Sequence, residues 1–306
     1  MNNRQSTFVW TILLVIGTIS IGLASPLQLA YAHTFSGSES ASFLSLVHKI
    51  RVESGLVLDN VGNATLARQH VENAAKAIDN QTIDEIAEEN NRIANDLSSL
   101  LQDLQTATAS TLIDAASIND IVTNLDATLG EAVSVRIEQE QLNNSTAQAI
   151  VLANVIDEIL RNYGSALEVG FDMTNMSLMD ETIQENNNSS SGGNISGGTE
   201  GSSTQMDGNT SSSTVVNMSA YQSAQAFANE SMEIFQNDLK PLSPPSGTAE
   251  GNNSSNQTVA ISQIENSLVK LQQAVSNKAS PEEIMMIVHA EIYPNLQIAY
   301  NLQITS

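Results

Sequence analysis

Apolar residues recur every three or four positions through most of this chain, the period of a helix with one buried face. The spacing predicts a first helix near Glu39–Val61, with Phe43, Val47, Ile50, Val57 and Val61 on one stripe. A second is expected near Thr65–Ile78, carrying Ala67, Val71, Ala74 and Ile78. A third opens at Thr82-Ile83-Asp84-Glu85, a capping box in which the threonine and glutamate side chains satisfy each other's free backbone amides. Its stripe runs Ile83, Ile86, Ile93, Leu97, Leu100, Leu104. A fourth helix is expected near Ile118–Val135 and a fifth near Thr146–Leu167. A sixth covers about Ser219–Leu239. A seventh covers about Val259–Val275, where Ile261, Ile264, Leu268, Leu271 and Val275 keep a strict three-four spacing. Ser280-Pro281-Glu282-Glu283 then starts the last helix with a cap, a proline at the first position and acids in the first turn. Pro294 is expected to kink or end it. No stretch alternates as a strand does. The expected fold is all-α, built of antiparallel helical bundles.

Two stretches interrupt the pattern. Residues 185–214 are almost wholly Asn, Ser, Gly and Thr, and 241–256 are of similar character with prolines. Neither can bury enough apolar surface to offset the entropy of ordering, so both read as linkers. The chain therefore divides into a helical domain at 33–184 with about five helices, a linker at 185–214, and a three-helix unit at 215–306 with a loop at 241–256. Many Asn-x-Ser/Thr triplets fall in these stretches (Asn187, Asn188, Asn194, Asn209, Asn252, Asn253), with others at Asn63, Asn80 and Asn175. In an exported chain each is a candidate glycosylation site, although an Asn- and Ser-rich composition also produces the triplet by chance.

Residues 1–32 have the layout of a signal peptide. Arg4 supplies the charge, Phe8–Ala24 the apolar run, and Ala30-Tyr31-Ala32 the small-residue cleavage site, so the mature chain starts at His33. The alternative is an uncleaved anchor, because the run nearly reaches membrane-spanning length. Either arrangement places the rest of the chain outside the cytoplasm.

The two flanking helical segments resemble each other. Val52-Glu53-Ser54 matches Asn229-Glu230-Ser231, Val71-Glu72-Asn73 matches Ile264-Glu265-Asn266, and Thr82-Ile83-Asp84-Glu85-Ile86 matches Ser280-Pro281-Glu282-Glu283-Ile284. Glu53 and Glu72 are 19 apart, Glu230 and Glu265 are 35 apart, and the difference of 16 is the length of 241–256. A three-helix unit used twice, around a central helix pair, accounts for this spacing. In both copies a serine, Ser54 or Ser231, interrupts the apolar stripe. That reads as a packing notch beside a solvated acid, or as two related carboxylates, Glu53 and Glu230, facing a shared cavity.

Charge and composition exclude several function classes. There are 11 Lys and Arg against 34 Asp and Glu, a net charge of −23. Removing the leader takes away one cation, Arg4, and gives −24. Such a chain repels nucleic acid and anionic lipid. Cysteine is absent, which removes thiol catalysis and thiolate metal sites. The single tryptophan, Trp10, lies in the leader, so aromatic binding platforms have little to draw on. Walker, Rossmann, EF-hand, His-Glu-x-x-His, Gly-x-Ser-x-Gly and di-iron Glu-x-x-His patterns are all missing, and no catalytic residue is expected.

The residues that remain as candidate metal ligands are His48, Glu53, His70 and His289. Imidazole and carboxylate together suit iron or copper. His70-x-Glu72 and His289-x-Glu291 cannot each chelate one ion, because residues two apart on a helix point apart; a site needs several helices. His33, at the new N-terminus, would offer both an amine and an imidazole to copper.

The mature start, from His33-Thr34-Phe35-Ser36-Gly37 through Ser38-Glu39-Ser40-Ala41-Ser42-Phe43-Leu44, resembles that of uncharacterised exported helical proteins of ammonia-oxidising archaea. The resemblance covers the first two helices and implies an extracytoplasmic archaeal setting without an activity. The expected function is an exported, non-catalytic helical module with a protein partner or a cell-surface component. The alternative is an extracytoplasmic bundle that binds iron or copper.

Overall fold

The computed structural model describes residues 39–175, 214–243 and 253–302. The leader, His33, the linker at 185–213, residues 244–252 and the glycosylation triplets within those stretches lie outside the described residues. Within the described part the chain is 84% helical and has no strand. Its elements are α1 (Glu39–Asp59), α2 (Ala64–Ala77), α3 (Asn80–Thr108), α4 (Ala115–Arg136), the short α5 (Gln139–Leu142), α6 (Ser145–Leu167), α7 (Met218–Ile234), α8 (Asn253–Ser276), α9 (Pro281–Met286) and α10 (Tyr293–Tyr300). None of these helices is long and apolar enough to cross a membrane.

Several boundaries differ from the periodicity for identifiable reasons. α3 begins before the expected Thr82, because the Asp79 carboxylate accepts from the Thr82 amide (2.8 Å) and serves as the cap. Thr82 instead sits inside the first turn and donates its own hydroxyl to Asp79 (2.8 Å). About a third of the way along, Asn90 leaves the helical region (φ −156°, ψ 97°), and its Oδ1 caps the remainder through the amides of Arg92 and Ile93. α4 starts at Ala115, before the expected Ile118, where Asp114 supplies the cap. α8 is longer than expected at its start: residues 253–256, read from composition as loop, are helical.

Pro294 ends no helix. The chain widens into a π turn at Ile287–Ile292 and continues as α10, with Pro294 in its first turn. α7 ends the same way, in a π turn at Phe235–Leu239 two residues before Pro241. A proline ring crowds the carbonyl four residues back, here Ala290 or Asn237, and both lie inside the widened turns. The wider turn accommodates the ring without a break in the rod.

α6 is the central helix. More than half of its residues are buried, on nearly every side. It packs on α7, α1 and the α9–α10 rod. α1 also contacts α2 and α4, α3 covers α2 and α4, and α8 lies on α7 and α10. Segments on either side of the low-complexity stretch thus share one continuous apolar core. At the end of α6 the Ala166 carbonyl accepts from the amides of Val216 (2.8 Å) and Asn217 (3.1 Å), so the chain re-enters beside the point where α6 finishes.

Candidate functional site

The four candidate ligands go to three separate places. Glu53 and His70 meet in the core between α1, α2 and α7, where both are essentially inaccessible to solvent (1% and 0% exposed). Their environment is hydrogen-bonded throughout. The Asn60 amide donates to the Leu56 carbonyl (2.8 Å), which turns its Oδ1 toward Gln222 Nε2 (3.1 Å). Gln222 Oε1 then faces His70 Nε2 (3.0 Å), and an oxygen acceptor requires that nitrogen to carry a proton. On the other side of the ring, Nδ1 meets Glu53 Oε2 (2.8 Å). Glu53 also accepts from Ser223 Oγ (2.8 Å) and Asn73 Nδ2 (3.2 Å). The result is a buried, fully hydrogen-bonded Glu53–His70 pair that, with Ser223, Gln222 and Asn73, ties three helices together.

This arrangement revises the reading of the serine notches. Ser54 and Ser231 are both buried, and both hydroxyls turn back to a carbonyl three residues earlier, Arg51 (3.1 Å) and Ala228 (2.8 Å). They are packing notches. The acid beside the first notch is not solvated, however, because Glu53 points into the core to meet His70.

His48 pairs with Glu230 across α1 and α7 (2.5 Å), half-buried. Asp238, in the π turn after α7, feels the same charges; its carboxyl is pushed up by desolvation, with Glu230 adding to the rise and His48 and Arg51 opposing it.

His289 lies in the second π turn, where its Nε2 donates to the Met173 carbonyl (3.1 Å) and its ring meets Tyr293 edge-on (5.4 Å). Tyr293 donates its hydroxyl to Asp157, an acid on the buried face of α6. Burial raises the Asp157 carboxyl to about 6, against the pull of the Tyr293 hydrogen bond and the Arg161 charge; Glu158 and Asp172 push it further up. Desolvation, with Asp157 alongside, also drives the Tyr293 phenol well above its ordinary value. Beside this pair an open cavity of about 500 Å³ is lined by Arg161, Ser165, Glu168, Phe171, Asp172 and Met173, among others. Gly164 faces it from α6, where a Cβ would come within 3.3 Å of the Met173 sulfur. Glu168 closes α6 in the left-handed region (φ 51°), an uncommon conformation for a side chain with a Cβ.

Among the described residues no three His, Asp or Glu side chains are placed to hold one metal ion. Glu53 and His70 come together, while His48 and His289 have partners of their own elsewhere.

Sequence reasoning did not single out Asp157, Tyr293, Gln222 or Ser223. Asp157 was visible in principle as the one acid between Ala153 and Leu160 on the α6 stripe, and Ser223 as a polar step between Ala220 and Phe227. Their partners come from more than a hundred residues away, and nothing in local pattern announces them.

The chain matches no protein-family model, and no curated protein or solved structure is similar to it.

Proposed function

We propose that this protein is an exported, non-catalytic helical module that acts outside the cytoplasm by offering helical faces to a protein partner or a cell-surface component. The observation that carries this reading is how the core uses its polar groups. Glu53, His70 and Ser223, like Asp157 and Tyr293, bond to one another across helices, so the side chains best suited to proton transfer serve as cross-links. The signal-peptide layout of residues 1–32, the acidic charge and the likeness of the mature start to exported archaeal proteins support the extracytoplasmic placement.

The architecture suited to this role is a largely antiparallel bundle built on a repeated three-helix unit. The order of the bonded pairs supports the antiparallel course. His48–Glu230 and Glu53–Ser223 run in opposite order along α1 and α7; so do Glu85–Arg136 and Arg92–Glu131 along α3 and α4. α1 and α6 depart from it, since Ser45–Asn154 and Lys49–Glu158 advance together. The shared serine notches support the repeat.

The test uses the native protein in its own cells. Protease added to intact cells should degrade it, and its N-terminus should read His33. A protein protected inside the cell with Met1–Ala32 attached would refute export. Turnover of a small molecule by the purified protein, abolished in Glu53→Gln or Asp157→Asn variants that remain folded, would refute the non-catalytic part.

A further inference from the structure

Three helices in this fold are capped at their N-terminus by the side chain of an asparagine that is also the first residue of an Asn-x-Ser/Thr triplet: Asn63 at α2, Asn144 at α6 and Asn217 at α7. From their geometry we infer that Asn63 and Asn144 are N-glycosylation acceptors in the folded protein and that Asn217 is not. This inference rests on the exported reading above.

The reaction needs two groups on one face of the triplet. One is the acceptor amide Nδ2, and the other is the hydroxyl two residues on. Inside a helix, residues two apart point away from each other. That disqualifies Asn80, Asn229 and Asn256, which all lie within helices. At Asn80 the partner hydroxyl, Thr82, is in addition committed to Asp79. The caps are different, because Asn63 (φ −133°, ψ 87°) and Asn144 (φ −88°, ψ 110°) still have non-helical backbone. Both asparagines are exposed, and so are Thr65 and Thr146.

The cap itself leaves the reactive atom available. Asn63 caps through Oδ1, which accepts from the Leu66 amide (3.3 Å). Asn144 Oδ1 accepts from Thr146 (2.9 Å) and Ala147 (3.2 Å). Neither Nδ2 has a protein partner among the described residues. A sugar can therefore be attached while the cap persists. In the transfer, Nδ2 attacks the anomeric carbon of a lipid-phosphate-linked sugar. The C–N bond forms, the bond from that carbon to the phosphate oxygen breaks, the lipid phosphate leaves, and the amide nitrogen gives up one proton. Asn217 has the same cap, through the Ala220 amide (3.2 Å), but its partner Ser219 is buried and out of reach.

The experiment is peptide mass spectrometry on the native protein, with Asn63→Asp and Asn144→Asp variants made in the same cells. Aspartate keeps the cap oxygen and removes the acceptor nitrogen. The expected result is one glycan mass on each of the Asn63 and Asn144 peptides and none on that of Asn217. Each variant should lose one glycan while its thermal midpoint stays that of the enzymatically deglycosylated wild type. A chain that begins at His33 but carries bare Asn63 and Asn144 would overturn the acceptor assignment and leave export standing. Equal occupancy at Asn217 would overturn the role of hydroxyl exposure. A chain that retains Met1, is protected inside the cell and carries no sugar would overturn both readings.

Discussion

Asp157 stands where α6 would otherwise present only hydrocarbon to the α9–α10 rod. The Tyr293 hydroxyl donates to it, and Arg161 reaches its second oxygen at 3.8 Å. The charges around it are Arg161, Glu158 and Asp172, with Lys49 engaged by Glu158 and the Tyr293 and His289 rings facing it from the rod. Burial dominates, so the folded carboxyl sits at about 6 against an ordinary value of 3.8. A carboxyl raised on folding favours the fold in its protonated form. That contribution is complete below the ordinary value and is lost as pH rises through about 6. The shift corresponds to about 3 kcal/mol. Asp79, Glu85 and Glu291 are lowered and act with the opposite sign, so the clean observable is a difference between proteins. Asp157→Asn keeps an oxygen for Tyr293 and carries no charge. Urea midpoints should converge for the two proteins below about pH 4, move apart as pH rises toward about 6 and stay apart above it, with the variant more stable. Parallel pH profiles would show that Asp157 is not desolvated in the fold.

At the level of helices, periodicity predicted the rods and their buried stripes, because a stripe repeating at 3.6 residues needs only local sequence. The all-α class and the stripes of α1, α2, α3, α6 and α8 follow from it. The ends did not follow as well, because several residues compete for one cap. Thr82 and Asp79 are both eligible, and the carboxylate three residues earlier takes the amide. The π turns were hidden for a related reason: a proline announces a lost amide, while the widening that absorbs its ring depends on the packing around it. The contact among α1, α2 and α7 was illegible for a third reason. Glu53 reads as a solvated acid and His70 as a candidate metal ligand because their partners, Ser223 and Gln222, arrive on another helix. Removing one partner of such a pair strands the other in the core and typically costs about 3–5 kcal/mol. His70→Leu and Glu53→Leu should each destabilise by about that much. The double variant should cost clearly less than the two combined, as read by a double-mutant cycle. Additive losses, or a loss below about 1 kcal/mol for His70→Leu, would mean that the pair does not tie the helices together.

On the scale of the molecule, the low-complexity stretch divides the sequence but not the core, since α6 and α7 pack along each other on either side of it. The two pieces should therefore stay together when the covalent link is cut. With a protease site placed between 190 and 210, the cleaved halves should co-elute at the size of the intact chain and separate only under denaturant. Elution as two independent species at working concentration would contradict a shared core. The clasp at Ala166 adds an evolutionary consequence. Because the core closes beyond it through the Ala166 carbonyl, doubling the length of the low-complexity stretch changes the closure entropy by only about 0.6 kcal/mol. Natural selection can therefore lengthen, shorten or rewrite this stretch almost without reference to the rods it connects, so lineages should differ there first and most.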